Sequence, residues 1–364
     1  MKFAAPRDVL LKPLQAVIGV VERRQTMPIL ANVLLVAKNG ELAITATDLE
    51  VELVASTDAN VESGGEITVS GRKLLDICRA LPDGADIDIS LSGEKLNVRS
   101  GRSKFTLATL PAAEFPSVDD IKAEQQIEVS QAVLGRLIEK THFSMAQQDV
   151  RYYLNGMLLE TGGKHLRAVA TDGHRLALCE AEVDGGLSEQ QVIVPRKGVL
   201  ELQRLMDGEG DLTIELGANH IRIALGGIRF TSKLIDGRFP EYDRVIPKDS
   251  SNELTADKAL LRGALQRTAI LSNEKYRGIR LIIRDSGVVI QAHNPEQEEA
   301  EEELEVNYSG EDIEIGFNVN YLLDALGAVD SDEVALSVLD SNSSCLIRQP
   351  GNNDGKFVVM PMRL

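Results

Sequence analysis

Apolar and polar residues alternate with period two through ITATDLEVELVAS from Ile44, and turn pairs at Asn39-Gly40 and Ser92-Gly93 separate such runs. That pattern marks strands with one buried face joined by tight turns. In the first third it predicts strands over 2–5, 29–37, 42–46, 51–56, 67–69, 87–91, 95–99 and 104–109. Helical spacing intervenes over 9–20 and 73–81, the latter with Leu74, Leu75, Ile77, Cys78 and Leu81 on its apolar stripe. The order is strand, helix and three strands, written twice. Pro13 falls inside the first helix, where its missing N–H predicts a kink or a later start.

The whole pattern recurs. NVLLVAKNGELAITATD from Asn32 returns as NGMLLETGGKHLRAVATD from Asn155 and GIRLIIRDSGVVIQAHN from Gly278, 123 residues apart each time. ITVSGRKLLDICRAL at Ile67 returns at Val192 and Ile313, and Phe115-Pro116 is echoed by Phe239-Pro240. This period is too long for a solenoid and suits a domain. The expectation is an α+β chain of three repeated domains, 1–121, 122–248 and 249–364, each a doubled β-α-β-β-β unit, with polar joints at 117–126 and 247–253. A unit of roughly 120 residues can bury about two-thirds of its unfolded surface, enough for its own core.

Composition adds limits. No apolar run approaches the roughly 20 residues of a bilayer span, and MKFAAPRDVLL lacks the long apolar stretch of a signal peptide. Cys78, Cys179 and Cys345 are odd in number and far apart, which points to a reducing cytoplasm without disulfides. The chain carries −17 overall, yet every predicted helix but the last has more Arg and Lys than Asp and Glu. Basic helices on an acidic body suggest one surface that attracts a polyanion; the plainer reading is that Lys and Arg are good helix formers.

No phosphate-binding glycine loop, dinucleotide fingerprint, HExxH or zinc-spaced cysteine pair is present, so no metal or cofactor is expected. The one catalytic-looking cluster is Thr171-Asp172-Gly173-His174-Arg175. As an enzyme it would use Asp172 and His174 as an acid/base pair, but no nucleophile motif accompanies them. Asp48 holds the equivalent repeat position without a histidine, so a strand turn is the simpler reading.

Long stretches carry a resemblance over the whole chain: SMAQQDVRYYLNGM, ATDGHRLAL, VIVPRKGV, FTSKLIDGRFPEY, ILSNEKYRGIRL, HNPEQEEAEEE and VVMPMRL. In this order they resemble the bacterial DNA polymerase III beta subunits, the sliding clamps. The resemblance implies a head-to-tail homodimeric ring, helices inside and sheets outside, that encircles double-stranded DNA and tethers DNA polymerases without catalysis. A clamp-loader ATPase is implied as partner, and no membrane. The alternative is a scaffold that recruits peptides without DNA.

The resemblance also assigns residues. A peptide cleft would take Leu154, Thr171, Gly173, His174, Arg175, Leu176, Pro240, Arg244 and Val245 from the second domain. From the third it would take Tyr276, Asn318, Tyr321, Asn342, Ser344, Val358, Val359, Met360, Pro361, Met362 and Arg363. Flexible thioethers suit Met360 and Met362 to varied ligands, although core filling at a chain end is the other reading. Tyr276 and Asn342 depart from the family pattern, which often has phenylalanine and a small aliphatic residue there. DNA contacts would fall to Arg24, Arg72, Lys73, Arg79, Gln148, Tyr152, Tyr153, Arg196 and Lys197, with one of the two tyrosines in the core. The dimer seam would set Lys73, Phe105 and Leu107 against Ile270, Leu271, Glu296, Glu298, Glu299, Glu301, Glu302 and Glu303. Such a glutamate run repels itself unless cations such as Lys73, Arg99, Arg102 and Lys104 approach, or it is simply a solvated loop.

Overall fold

The computed structural model describes residues 1–21, 27–118, 121–248 and 252–363. Six α-helices lie among them: α1 (Arg7–Val17), α2 (Gly71–Ala80), α3 (Gln131–Thr141), α4 (Arg196–Leu205), α5 (Lys258–Thr268) and α6 (Val319–Ala328). Side chains just before them cap four N-termini, as Ser, Asp and Asn do at that position. Ser70 accepts from Lys73 N, Ser130 from Val133 N, Asp257 from Leu260 N and Asn318 from Asn320 N. Of the expected kink or later start, the later start does not occur: α1 begins at Arg7 and runs through a buried Pro13 into a 3₁₀ turn, Ile18–Val20.

The doubled unit is present. In the first third Lys2–Pro6, α1, Asn32–Lys38, Glu41–Thr47 and Val51–Asp58 are followed by Gly65–Ser70, α2, Asp86–Ser92, Lys95–Ser100 and Ser103–Leu110. A short strand, Asn60–Ser63, is an addition the alternation did not predict. The halves interlock by exchanging their first strands: Ala5 pairs with Ile87 in the second half, and Asn32 in the first half pairs with Ser70. The last third repeats the exchange, Glu253–Asp257 pairing with Glu333–Val338 and Ile313–Asn318 with Gly278–Arg284.

The same position ties each helix pair. Arg7 opens α1 and donates to Cys78 O at 2.9 Å and Arg79 O at 3.4 Å, at the end of α2. Lys258 opens α5 and donates to Val329 O at 2.8 Å, just past α6. Gln131 opens α3 and accepts from Asp207 N at 3.2 Å, beyond α4. Arg204 of α4 also donates to Gln15 O and Ala16 O of α1, and Lys140 of α3 to Ala328 O of α6. Cations are favourable on these orphan carbonyls and on the negative ends of the helix dipoles. Part of the helices' basic surplus is therefore structural and does not by itself point to a polyanion.

The chain divides into two compact units, and the division cuts through the middle repeat. Residues 1–134 with 197–234 hold a 13-stranded sheet, in which Ile228–Lys233 of the second repeat pairs with Val51–Asp58 of the first. Residues 135–196 with 235–364 hold a six-stranded and a four-stranded sheet. In the six-stranded sheet Arg175 pairs with Val359 and Leu176 with Val358, so strands of the second and third repeats are continuous. Among the strands that keep an open edge are Ser103–Leu110 and Glu299–Glu305. Ser103–Leu110 meets Gly65–Ser70 only through Thr109 and Leu110, and Glu299–Glu305 pairs only with Gly287–His293.

Candidate functional site

Thr171-Asp172-Gly173-His174-Arg175 makes a tight turn at the head of the strand Arg175–Pro195. Thr171 Oγ1 donates to Arg175 O at 2.6 Å and accepts from Gly173 N at 3.1 Å. Asp172 Oδ1 accepts from the N–H groups of His174 and Arg175, and its Oδ2 from Arg175 Nε at 3.2 Å. Both oxygens of Asp172 therefore hold the turn, and the acid/base reading of Asp172 with His174 has no geometric support.

Arg175 is the hub. It donates to Phe143 O at 2.7 Å, pairs with Asp324 of α6 at 2.5 Å and lies 4.5 Å above the Tyr321 ring and 5.6 Å from that of Phe143. Burial and the charge of Asp172 push the Tyr321 hydroxyl above its ordinary pKa. Gly173 has φ +87°, and a Cβ there would lie 3.1 Å from the Arg151 guanidinium. Arg151 is held by Asp149, whose carboxyl its hydrogen bonds depress to about 2. Phe143, Asp149, Arg151 and Asp324 were missed in the sequence. The Asp-x-Arg spacing at 149–151 and the position of Asp324 three residues after Tyr321 were the available signals.

The floor beside this turn is apolar. Leu176 and Val358, 2% and 0% exposed, join Leu158, Val169, Leu178, Ile193, Phe239, Tyr242 and Leu346 in one cluster, with Tyr153 and Val245 packed against it. Leu154 and Val359 are buried as well. The Tyr242 hydroxyl accepts from Arg167 at 2.8 Å and donates to Glu160 at 3.0 Å, and burial raises it to about 12. That network anchors the loop carrying Pro240, Arg244 and Val245, of which Pro240 and Arg244 are exposed. The C-terminal tail crosses between the sheets: Met360 N donates to His174 O at 2.9 Å and Met362 N to Gly316 O at 2.8 Å. Met360, Pro361 and Met362 are half-buried, and Arg363 is exposed.

The remaining cleft candidates rim this region. Asn318 donates to Tyr276 O at 3.2 Å, and Tyr276 is 56% exposed under Lys275. Ser344 Oγ donates to Val245 O, and Asn342 N to Asp340. All these candidates fall within residues 135–196 and 235–364.

Candidates for DNA are less uniform. Arg24 lies outside the described residues. Lys73 and Arg79 are exposed on α2, whereas Arg72 is half-buried and donates to Val21 O. Gln148 is exposed at φ +55°. Tyr152 is exposed, and Tyr153 is the one that packs inward. Arg196 donates to Met145 O, and Lys197 is ion-paired with Asp48.

At the expected seam Phe105 and Leu107 are half-buried on the open-edged strand Ser103–Leu110, and Ile270 is 75% exposed beside a half-buried Leu271. The glutamate run is a strand, Glu299–Glu305, preceded by the turn with Glu296 and Glu298, and not a loop. Glu302 is already paired with Arg267, Glu301 accepts from Gln291 and Glu298 from Asn294. Some of the self-repulsion is thus relieved within the chain itself.

Known proteins resemble this chain in all three domains. The N-terminal, central and C-terminal domains of the DNA polymerase III beta subunit match residues 1–119, 128–241 and 243–363. The beta sliding clamps of Pseudomonas putida and Escherichia coli K12 are 56% and 53% identical, with all of both chains covered. The crystal structure of the DNA polymerase III subunit beta from Pseudomonas aeruginosa superposes with a TM-score of 0.98 at 54% identity, again over all of both chains. With all three domains matched in order over its full length, the chain belongs to the DNA polymerase III beta subunit family, the beta sliding clamps.

Proposed function

We propose that this chain is a processivity factor of DNA replication that closes as a head-to-tail dimer around duplex DNA and tethers polymerases through the cleft at Thr171–Leu176. Three domains, 1–121, 122–248 and 249–364, supply the ring's pseudo-sixfold repeat, a division supported by the family matches. It works in the cytoplasm with a clamp-loader ATPase and performs no catalysis of its own.

The observation that carries the cleft is the tail. Met360 and Met362 bridge two sheets beside an apolar floor, with Arg175 and the exposed His174 at the rim. An apolar pocket with a few polar groups at its mouth suits a short peptide with aliphatic or aromatic anchors. Two of the open edges support the seam: the edge at 103–108 has Arg102 before it and Lys104 within it, and the edge at 299–305 carries glutamates. Strand addition supplies main-chain bonds, apolar contact supplies most of the affinity, and opposite charge sets orientation. Lys73, Arg79, Gln148 and Tyr152 are left as the exposed DNA candidates. Phosphate contacts without base readout permit sliding.

Fluorescence titration of a peptide carrying Gln, Leu and Phe anchors tests the cleft. Deleting Met360 to Leu364 abolishes binding while sedimentation still reports the dimer. Unchanged affinity in the truncated protein refutes the cleft and sends the scaffold reading to another surface.

A further inference from the structure

Beyond the cleft the same sheet face continues into a second recess. Leu346 and Val358, both in the apolar floor, are direct cross-strand partners. Arg348 and Lys356 lie two residues further along those strands and therefore share their face. Together with Ile246, Pro247 and Lys248, which follow the cleft loop in sequence, they line a cavity of about 530 Å³. Ile246 packs on the cleft's apolar cluster, so floor and recess are contiguous.

Its charge is opposite to that of the whole chain. Arg348 pairs with Glu253 at 2.7 Å, and Ser337 also donates to that carboxylate, so this pair is internally compensated. Lys248 and Lys356 are then the uncompensated cations: neither is ion-paired among the described residues, Lys248 being exposed and Lys356 half-buried. Asp243 is the recess's other acidic group and is exposed at its rim. On a chain of net charge −17 an acidic peptide is repelled over most of the surface. Two unpaired ammonium groups at the margin of an apolar cleft reverse that locally.

We propose that this recess is a cationic subsite that reads acidic residues flanking the anchors of a peptide held in the cleft. The proposal rests on the peptide-binding reading of the cleft. Lys248 and Lys356 would take the flanking carboxylates, while Arg348 stays with Glu253 and shapes the wall. Such a subsite ranks partners that share the same anchors, because an acidic flank gains there what a neutral one does not.

The test is a fluorescence titration of three peptides with identical Gln, Leu and Phe anchors, flanked by serines, by an acidic pair before the anchors or by an acidic pair after them. With two solvent-accessible ion pairs, one acidic peptide binds roughly three- to tenfold tighter than the serine peptide at low salt. The difference shrinks as salt is raised. In a Lys248→Gln/Lys356→Gln double variant the preference disappears while the serine peptide binds as before. No preference in the unaltered protein, or a preference that survives in the double variant, overturns the subsite. If the serine peptide itself fails to bind, the cleft reading falls, and the subsite with it.

Discussion

Two turns in this protein share one backbone and differ in everything attached to it. At Thr47–Val51, Thr47 Oγ1 donates to Val51 O and accepts from Leu49 N, while Asp48 Oδ1 accepts from the N–H groups of Glu50 and Val51. At Thr171–Arg175 the same four bonds recur, residue for residue. The central residue is left-handed in both, Leu49 at φ +79° and Gly173 at φ +87°. The repeat therefore supplies the turn in its first two copies, and the proposed cleft is built from what the second copy adds. Arg175 reaches Asp324 and Phe143, where its counterpart Val51 is a buried apolar residue. Asp48 gives its second oxygen to Lys197, whereas Asp172 gives its own to Arg175.

The largest effect is expected at the hub. Arg175→Ala leaves Asp324, Phe143 O and two ring faces without their cation and costs about 2–3 kcal/mol of stability, less than a fully buried pair because Asp324 is half exposed. Peptide affinity falls at least tenfold in the same titration. Val51→Ala costs about 2 kcal/mol by removing buried methyl groups, and peptide affinity holds. Equal effects of the two changes on binding would break the contrast between the turns.

Next come Asp48→Asn and the central residues. Asn at 48 keeps the acceptor for the turn but removes the carboxylate that pairs with Lys197, lowering stability by about 1 kcal/mol in urea titration. Gly173→Ala meets both positive φ and the Arg151 guanidinium and costs about 1 kcal/mol, with weaker peptide binding. Leu49→Gly relieves about 1–2 kcal/mol of left-handed strain against about 0.5–1 kcal/mol of added unfolded-state entropy. It is therefore neutral to slightly stabilising. A clear loss at Leu49 would mean that its side chain has a role the turn alone does not require.

The smallest effect concerns acid. Asp149 has its pKa lowered from 3.8 to about 2 by Arg151. A depressed carboxylate contributes stability above its unfolded pKa and loses it as pH falls through the folded value. The difference in melting temperature between the protein and Asp149→Asn is thus present at pH 5 and shrinks between about pH 4 and pH 2. A constant difference over that window would show that the Asp149–Arg151 pair is not what holds Arg151 beside Gly173.

Much of this was legible in the sequence because triplication and period-two alternation are local signals. Helix limits came within two or three residues at most ends. The pairing of Val51–Asp58 with Ile228–Lys233, and of Arg175–Cys179 with Gly355–Val359, was not legible, since an edge strand's partner leaves no mark in its own alternation. Charge was ambiguous for a related reason: Arg7, Lys140, Arg204 and Lys258 serve helix C-termini that only the folded chain brings within reach. In the cleft the resemblance named Arg175 and Tyr321, and the structure added Asp324, Phe143 and Arg151, which support them from other elements.

Retention on circular DNA tests the ring most directly. Protein loaded by a clamp loader onto nicked circular duplex should stay bound through gel filtration at moderate salt and be lost when the same DNA is linearised, because a closed ring is held by topology and slides off free ends. Equal loss from circle and line, or equal retention on both, would contradict encirclement.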